Sequence, residues 1–384
     1  MNILHVVYSL VPHRYKGGIP KAVYELARAQ AQLGHQSVVY TTNYNSDEKF
    51  ILTEENRSLT SEGVEIHYFD AYKAGVLFSP ELFKALRYNG SQFDVIHAHN
   101  VFHPLNQYAS RVGKRCGLPV FFHIHGSLDP GVVQKGLLKS LKKKLYLFLF
   151  EIPTLRKSAG IFAISQDEAD LIRQLIENVP VHYLPNGIHL PAFHKKEEKT
   201  FIRIVFIGRI HPKKGLHYLL AALREVAAVV PEVHLYIGGD RKQNPGYVGQ
   251  LDMLIEEYKL SKKITWLGFL DEAQKYARLA EADIFCHLSH SEGLTLAIME
   301  SMGSGVATLI GKGWNVDQAV RMEALVTCDP TQPQEVASIL LGLIRNRLAR
   351  LALGQNARKY VAQYHDWTRI AQTCVDVYQR ILSR

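Results

Sequence analysis

Short apolar runs, each bounded by turn residues and separated by helix-length segments, recur along the chain. ILHVVY near the amino terminus is followed by a loop ending in Gly17-Gly18, a helical pattern from Pro20 to Leu33, then Gly34 and a second run from Ser37 to Thr41. Proline near the start of a periodic segment and glycine just past its end mark a helix. Further runs lie at VEIHYF (64–69), DVIHAH (94–99), PVFFHIH (119–125), GIFAIS (160–165) and VHYLP (181–185). Apolar strands alternating with helices predict a parallel sheet covered on both faces.

The alternation breaks at HKKEEKT, His194 to Thr200, a charge-dense stretch of linker character. It resumes with IRIVFIG (202–208), VHLYIGG (233–239), KITWLGF (263–269), ADIFCHLS (282–289) and VATLIG (306–311). The pattern predicts an α/β protein of two doubly wound, Rossmann-like domains. The expected divisions are residues 1–193, a linker over 194–203, residues 204–364, and a last helix within 365–384 that crosses back to the first domain. Two such domains facing across a cleft would both present the carboxyl ends of their strands, where open parallel sheets bind ligands.

At 384 residues, 47% apolar and 21% charged, the composition is that of a globular protein large enough for two domains. No apolar run reaches the roughly 18–20 residues of a membrane span. MNILHVVYSL reads as a first strand rather than a signal peptide. Cys116, Cys286, Cys328 and Cys374 lack CxxC spacing, which argues against a disulfide framework and fits a reducing cytoplasm. The net charge of +9 favours an anionic partner: a nucleic acid, a phospholipid headgroup or a nucleotide. No segment interleaves aromatics with Lys and Arg, so nucleic acid is disfavoured.

Candidate chemistry gathers in the second half. GRIHPKKG, Gly208 to Gly215, follows a strand and opens a helix, which places Arg209 and Lys214 at a carboxyl edge. A helix N-terminus and two cations favour an anion there. The spacing is not that of a phosphate-cradling GxxxxGK[ST] loop, so the segment reads either as a diphosphate clamp built from side chains or as a solvated basic turn. In HSEGLTLAIMESMGSG, Glu292 lies on the loop after ADIFCHLS, Thr295 is placed as an N-cap, and Glu300 falls in the second helical turn. Two carboxylates at different depths suit the hydroxyls of two sugars. Each alone also reads as an exposed acid. Paired carboxylates also suggest a glycosidase, but a hydrolase needs no anion clamp.

In order and spacing these elements resemble the retaining glycosyltransferases of the GT-B fold, family 4. The resemblance runs through GGIPKAVYELARAQAQLGH, DVIHAH, FHIHG, AISQDEADLI, LPNGI, GRIHPKKG, LYIGGD, WLGFL and SEGLTLAIME. It implies a metal-independent hexosyltransferase with no cofactor and a UDP- or GDP-linked sugar donor. By resemblance, Arg209 and Lys214 hold the donor diphosphate and, with Glu292 and His125, form the catalytic set. Glu292 and His125 meet the donor sugar, and Glu300 holds the ribose. Gly293, Leu294, Thr295 and Leu296 turn their backbone toward the phosphates. Gly17 and Gly18 close on the donor from the first domain, while Gly208, Gly268 and Phe269 border the diphosphate and the base. The chain departs from the family at His189 where Asp is usual, at Val306-Ala307, at GWNVDQ (Gly313 to Gln318) and at MEALVTCDP. These departures bear on donor and acceptor rather than on the catalytic set.

His97-x-His99 and His123-x-His125 place paired imidazoles on single strand faces. Without an accompanying Cys or carboxylate, they are expected to contact substrate rather than a metal. Residues 135–152, KGLLKSLKKKLYLFLFEI, form a basic amphipathic stretch. It suits either an anionic bilayer or packing on its own domain. The expected activity is sugar transfer to a glycan or lipid-linked acceptor in cell-surface polysaccharide or glycolipid synthesis, in the cytoplasm and at the inner face of the cell membrane. A sucrose- or sucrose-phosphate-synthase-like enzyme with a soluble acceptor, or a catalytically silent sugar- or nucleotide-binding protein, stands as the alternative.

Overall fold

A computed structural model describes residues 1–10, 18–45, 48–74, 76–128, 137–193, 201–289, 295–312 and 316–383. The chain divides into two compact units, Met1–Gly187 with Trp367–Arg384, and Ile188–Asp366. The division falls before the charged stretch of 194–200, which lies outside the described residues. Its physical basis is local. A side chain at Gly187 would come within 2.7 Å of Trp367, and the next residue, Ile188, bridges to Asp366. The two crossings between units therefore lie side by side.

The first unit contains β1 (Asn2–Ser9), β2 (Gln36–Thr42), β3 (Ser58–Ser61), β4 (Val64–Phe69), β5 (Val95–His99), β6 (Val120–His123), β7 (Gly160–Ala163) and β8 (Val181–Tyr183). They form one sheet in the order β8-β7-β6-β5-β1-β2-β4-β3. Every pair is parallel except β3 with β4. Its helices are α1 (Gly18–Gln32), α2 (Pro80–Asn89), α3 (Pro104–Cys116), α4 (Leu137–Tyr146) and α5 (Gln166–Leu175), joined by the carboxy-terminal helix. Leu4, Ile96, Ala98 and Phe122 pack with α2 and α3 on one face of the sheet. Ile3, Val95, Phe121 and Phe162 pack on the other, with Leu26 of α1 and with Trp367, Ile370 and Tyr378 of the last helix. β3 and the two small antiparallel ladders at 44–49 and 72–78 have no counterpart in the apolar pattern.

The second unit has six parallel strands, β9 (Ile202–Ile207), β10 (Val233–Gly238), β11 (Ile264–Gly268), β12 (Ile284–His287), β13 (Ala307–Gly311) and β14 (Val326–Cys328), in the order β11-β10-β9-β12-β13-β14. Its longer helices are α6 (Leu216–Val229), α7 (Pro245–Glu257), α8 (Glu272–Glu281), α9 (Leu296–Gly303), α10 (Pro333–Arg345) and α11 (Arg347–Tyr364). The last helix of the chain is α12 (Trp367–Leu382). In both sheets the order reverses at one point, between β1 and β5 and between β9 and β12. Doubly wound sheets bind ligands just outside the strand ends at such a point.

Candidate functional site

The loop after β9 carries Gly208, Arg209 and Lys214, and the chain after β12 runs to Thr295 and α9. Both therefore flank the reversal point of the second sheet. Arg209 is exposed, whereas Lys214 is buried in a single 3-10 turn, Pro212–Lys214, whose end is tied by the Lys214 N–H to the His211 carbonyl at 2.9 Å. The Ser289 hydroxyl donates to the Lys213 carbonyl at 2.8 Å and fastens this turn to the end of β12. Gly215 has φ +67°, and a Cβ there would stand 1.9 Å from the Leu288 carbonyl oxygen, so only glycine allows this approach.

Beside it, the Gly208 N–H donates to Gly238 and the Gly239 N–H to Gly268, at 3.0 and 2.8 Å. Gly268 takes φ +70° and turns the chain into Phe269, which is 76% exposed, an open aromatic face at the same edge. Thr295 caps α9 by accepting from the Ile298 N–H at 3.5 Å, and Leu296 is half-buried. Glu300 is 2% exposed, and its Oε1 lies 2.5 Å from Lys275 Nζ on α8. Sequence reasoning does not reach Lys275, because the pair is separated by 25 residues and carries no local spacing signal. Gly17, Glu292, Gly293 and Leu294 lie outside the described residues. Gly18 is exposed at the start of α1.

In the first unit, register places His5 opposite His97 and His99 opposite His123, so the predicted pairs lie on one sheet face beneath α1 and α12. This corrects the expectation that the histidine pairs contact substrate. His97, His99 and His123 are at most 3% exposed, and only His125, two residues beyond β6, is half-buried at the strand ends. His5 joins them, so five imidazoles cluster. Burial depresses every one of them, His5 to about 4 and His125 to about 3, with His97, His99 and His123 well below the usual value.

Nitrogens of His5, His97 and His99, and of His99, His123 and His125, lie within 4.8 Å of one another, the donor sets that a transition metal would use here. His125 holds a left-handed φ of +56°. The conformation is clamped from behind, where Glu168 Oε1 accepts from the Gly126 N–H at 2.6 Å and Oε2 from the Ile164 N–H at 2.8 Å. Backbone strain of this kind concentrates at functional sites. Asn100 and Phe102, at the neighbouring strand end, share it.

A third feature lies on α4 and the wide turn Leu147–Glu151. Leu141, Leu145, Phe148, Leu149 and Phe150 are each at least 50% exposed, an apolar surface left open to solvent. Glu151 anchors the segment. It is buried and accepts from the Phe102 N–H at 2.8 Å and the His103 N–H at 3.2 Å, at the mouth of α3. Among the described residues no helix is long and apolar enough to cross a membrane.

Two family patterns account for most of the chain. The family described as glycosyl transferases group 1 matches residues 191–360, and the glycosyl transferase 4-like domain matches residues 17–187. The chain belongs to the group 1 glycosyltransferases. The gpi3 component of phosphatidylinositol N-acetylglucosaminyltransferase from Schizosaccharomyces pombe is 23% identical over 96% of this chain and 78% of its own length. Among solved structures, Anabaena HepE in complex with UDP matches this glycosyltransferase at 19% identity and TM-score 0.77, over 99% of this chain and 100% of that one. Sucrose-phosphate synthase from Thermosynechococcus elongatus matches at 17% identity and TM-score 0.73, over 100% of both chains. The fold is therefore GT-B, with two parallel-sheet domains.

Proposed function

We propose that this glycosyltransferase moves a hexose from a UDP- or GDP-linked donor to a lipid-linked or glycan acceptor, with retention of anomeric configuration. The observation that carries the reading is the convergence of Arg209, Lys214 and the Thr295-capped helix α9 on the reversal point of the second sheet. Arg209 and Lys214 take the diphosphate, and their charge stabilises what develops on the leaving phosphate, a contribution of several kcal/mol in such sites. Phe269 and the Gly268 backbone border the base, and Glu300 holds the ribose. Glu292 and His125 meet the transferred sugar. Gly18, with Gly17, approaches the donor from the first unit, and Leu296 completes the turn before α9. The anomeric carbon–phosphate oxygen bond breaks and the acceptor oxygen–carbon bond forms on the same face. The acceptor proton passes to the leaving phosphate, so the reading calls for no metal or protein nucleophile.

The exposed apolar residues of 141–150, with Lys143 and Lys144 beside them, support peripheral contact with an anionic bilayer at the cytoplasmic face. A lipid acceptor fits this surface, and the name of the Schizosaccharomyces pombe relative specifies phosphatidylinositol for that protein. The test is transfer from a panel of UDP- and GDP-sugars to lipid acceptors in anionic vesicles, with the product's anomeric proton followed by NMR. Transfer with retained configuration is expected. Inversion, or hydrolysis without transfer, would overturn the mechanism.

A further inference from the structure

The histidine cluster of the first unit contains one continuous chain of hydrogen bonds. Gln30 Oε1 lies 2.7 Å from His5 Nε2, His5 Nδ1 lies 2.9 Å from His99 Nε2, and His99 Nδ1 lies 3.0 Å from His125 Nε2. Burial keeps the three rings neutral, and a neutral imidazole has one donor and one acceptor nitrogen.

The direction of the chain follows from its inner end. The amide oxygen of Gln30 only accepts, so His5 donates from Nε2 and accepts at Nδ1. His99 then donates from Nε2 and accepts at Nδ1. His125 donates from Nε2 and keeps its lone pair on Nδ1, a nitrogen that is buried and has no hydrogen-bond partner among the described residues. In this orientation the amide nitrogen of Gln30 is buried and has no hydrogen-bond partner among the described residues. Its amide lies beside the Tyr378 hydroxyl and the Cys374 thiol. Tyr378 is hydrogen-bonded to His97 Nδ1 at 2.5 Å.

We propose that Gln30, His5 and His99 are positioning residues that lock His125 in its Nε2–H tautomer and hold an acceptor lone pair on Nδ1 for a hydroxyl of the bound sugar. The sugar contact rests on the transferase reading above, whereas the locked tautomer does not. The lone pair selects a ligand group that donates a proton: a hydroxyl qualifies, and a fluorine or a carboxylate in its place does not.

Long-range 1H–15N spectra of the full chain labelled at histidine test this directly. In the unmodified protein, His5, His99 and His125 are expected as Nε2–H tautomers. Gln30→Met removes the acceptor and should leave His125 a mixture of tautomers. Turnover should then fall about tenfold, with nucleotide Kd changed less than about twofold. Gln30→Glu restores an acceptor and should restore the tautomer. An Nδ1–H tautomer at His125 in the unmodified protein, or tautomers indifferent to Gln30→Met, would overturn the proposal. A stoichiometric transition metal bound by these nitrogens would do so as well, since the lone pairs would then serve the ion. Locked tautomers in a protein that transfers no sugar would overturn the role in sugar binding and leave the lock standing. The first measurement uses no variant, so a misfolded mutant does not blunt it.

Discussion

Lys275 Nζ sits 2.5 Å from Glu300 Oε1, and the Glu300 side chain is 3% exposed. The pair joins α8 and α9, the helices on either side of β12, and fixes the carboxylate assigned to the donor ribose. Removing one partner of a buried ion pair is costly, about 3–5 kcal/mol. Lys275→Met is therefore expected to lower the urea stability of the second unit by about 3 kcal/mol and to weaken nucleotide binding. Combining it with Glu300→Leu should recover most of the stability and none of the binding. A double-mutant cycle with both readouts checks this, and additive stability losses would show that the pair is not coupled.

Gly215 is expected to be irreplaceable. Alanine there must push against the Leu288 carbonyl at a positive φ. Gly215→Ala should cost about 2 kcal/mol or more and loosen the turn that holds Lys214, raising nucleotide Kd. Gly246→Ala, in α7 with open space around its Cβ, is the control and should be neutral or stabilising by up to ~1 kcal/mol. Equal effects of the two substitutions on melting and binding would contradict the packing argument.

The histidine cluster gives the first unit an acid limit. His5 and His125 titrate at about 4 and about 3 in the folded chain, below the ordinary histidine value of 6.5. Between these values the unfolded state binds more protons, so stability rises with pH. It is fully present above about 6.5 and is lost as pH falls toward 4, by up to ~1.4 kcal/mol per pH unit for each such histidine. Denaturant midpoints measured from pH 7.5 to 4.5 should fall steeply. His5→Phe, which removes one titrating ring, should flatten the slope, and an unchanged slope would contradict the assignment.

Leu145 and Phe148 are 56% and 70% exposed. Leu145→Glu with Phe148→Glu should abolish flotation with anionic vesicles while changing stability by no more than about 0.5 kcal/mol. Vesicle binding that survives both charges would place any membrane contact elsewhere.

The division between legible and hidden features follows the range of the interactions. Long apolar strands such as 202–207 and 233–238 announce themselves because both faces are buried. The short edge strand Ser58–Ser61 reads as a polar loop because half its positions face solvent. Thr295 is visible as a cap because its partner, Ile298, is three residues away. Gln30, His5, Glu168 and Lys275 are not, because each acts through a partner brought near by sheet register or helix packing. DVIHAH and FHIHG point toward a histidine site, yet strand parity turns His97, His99 and His123 inward beneath two helices, one of them from the far end of the chain.

The central claim is that the loop after β9 is a diphosphate clamp. The measurement that tests it most directly is calorimetric titration of UDP, GDP and ADP, without added metal, into the unmodified protein and into the Arg209→Ala/Lys214→Ala double variant. The account predicts selective binding of UDP or GDP, weakened by about 100-fold or more in the variant, the loss of two charge-assisted contacts. Binding of no nucleotide, or binding unchanged by the two substitutions in a folded variant, would contradict it.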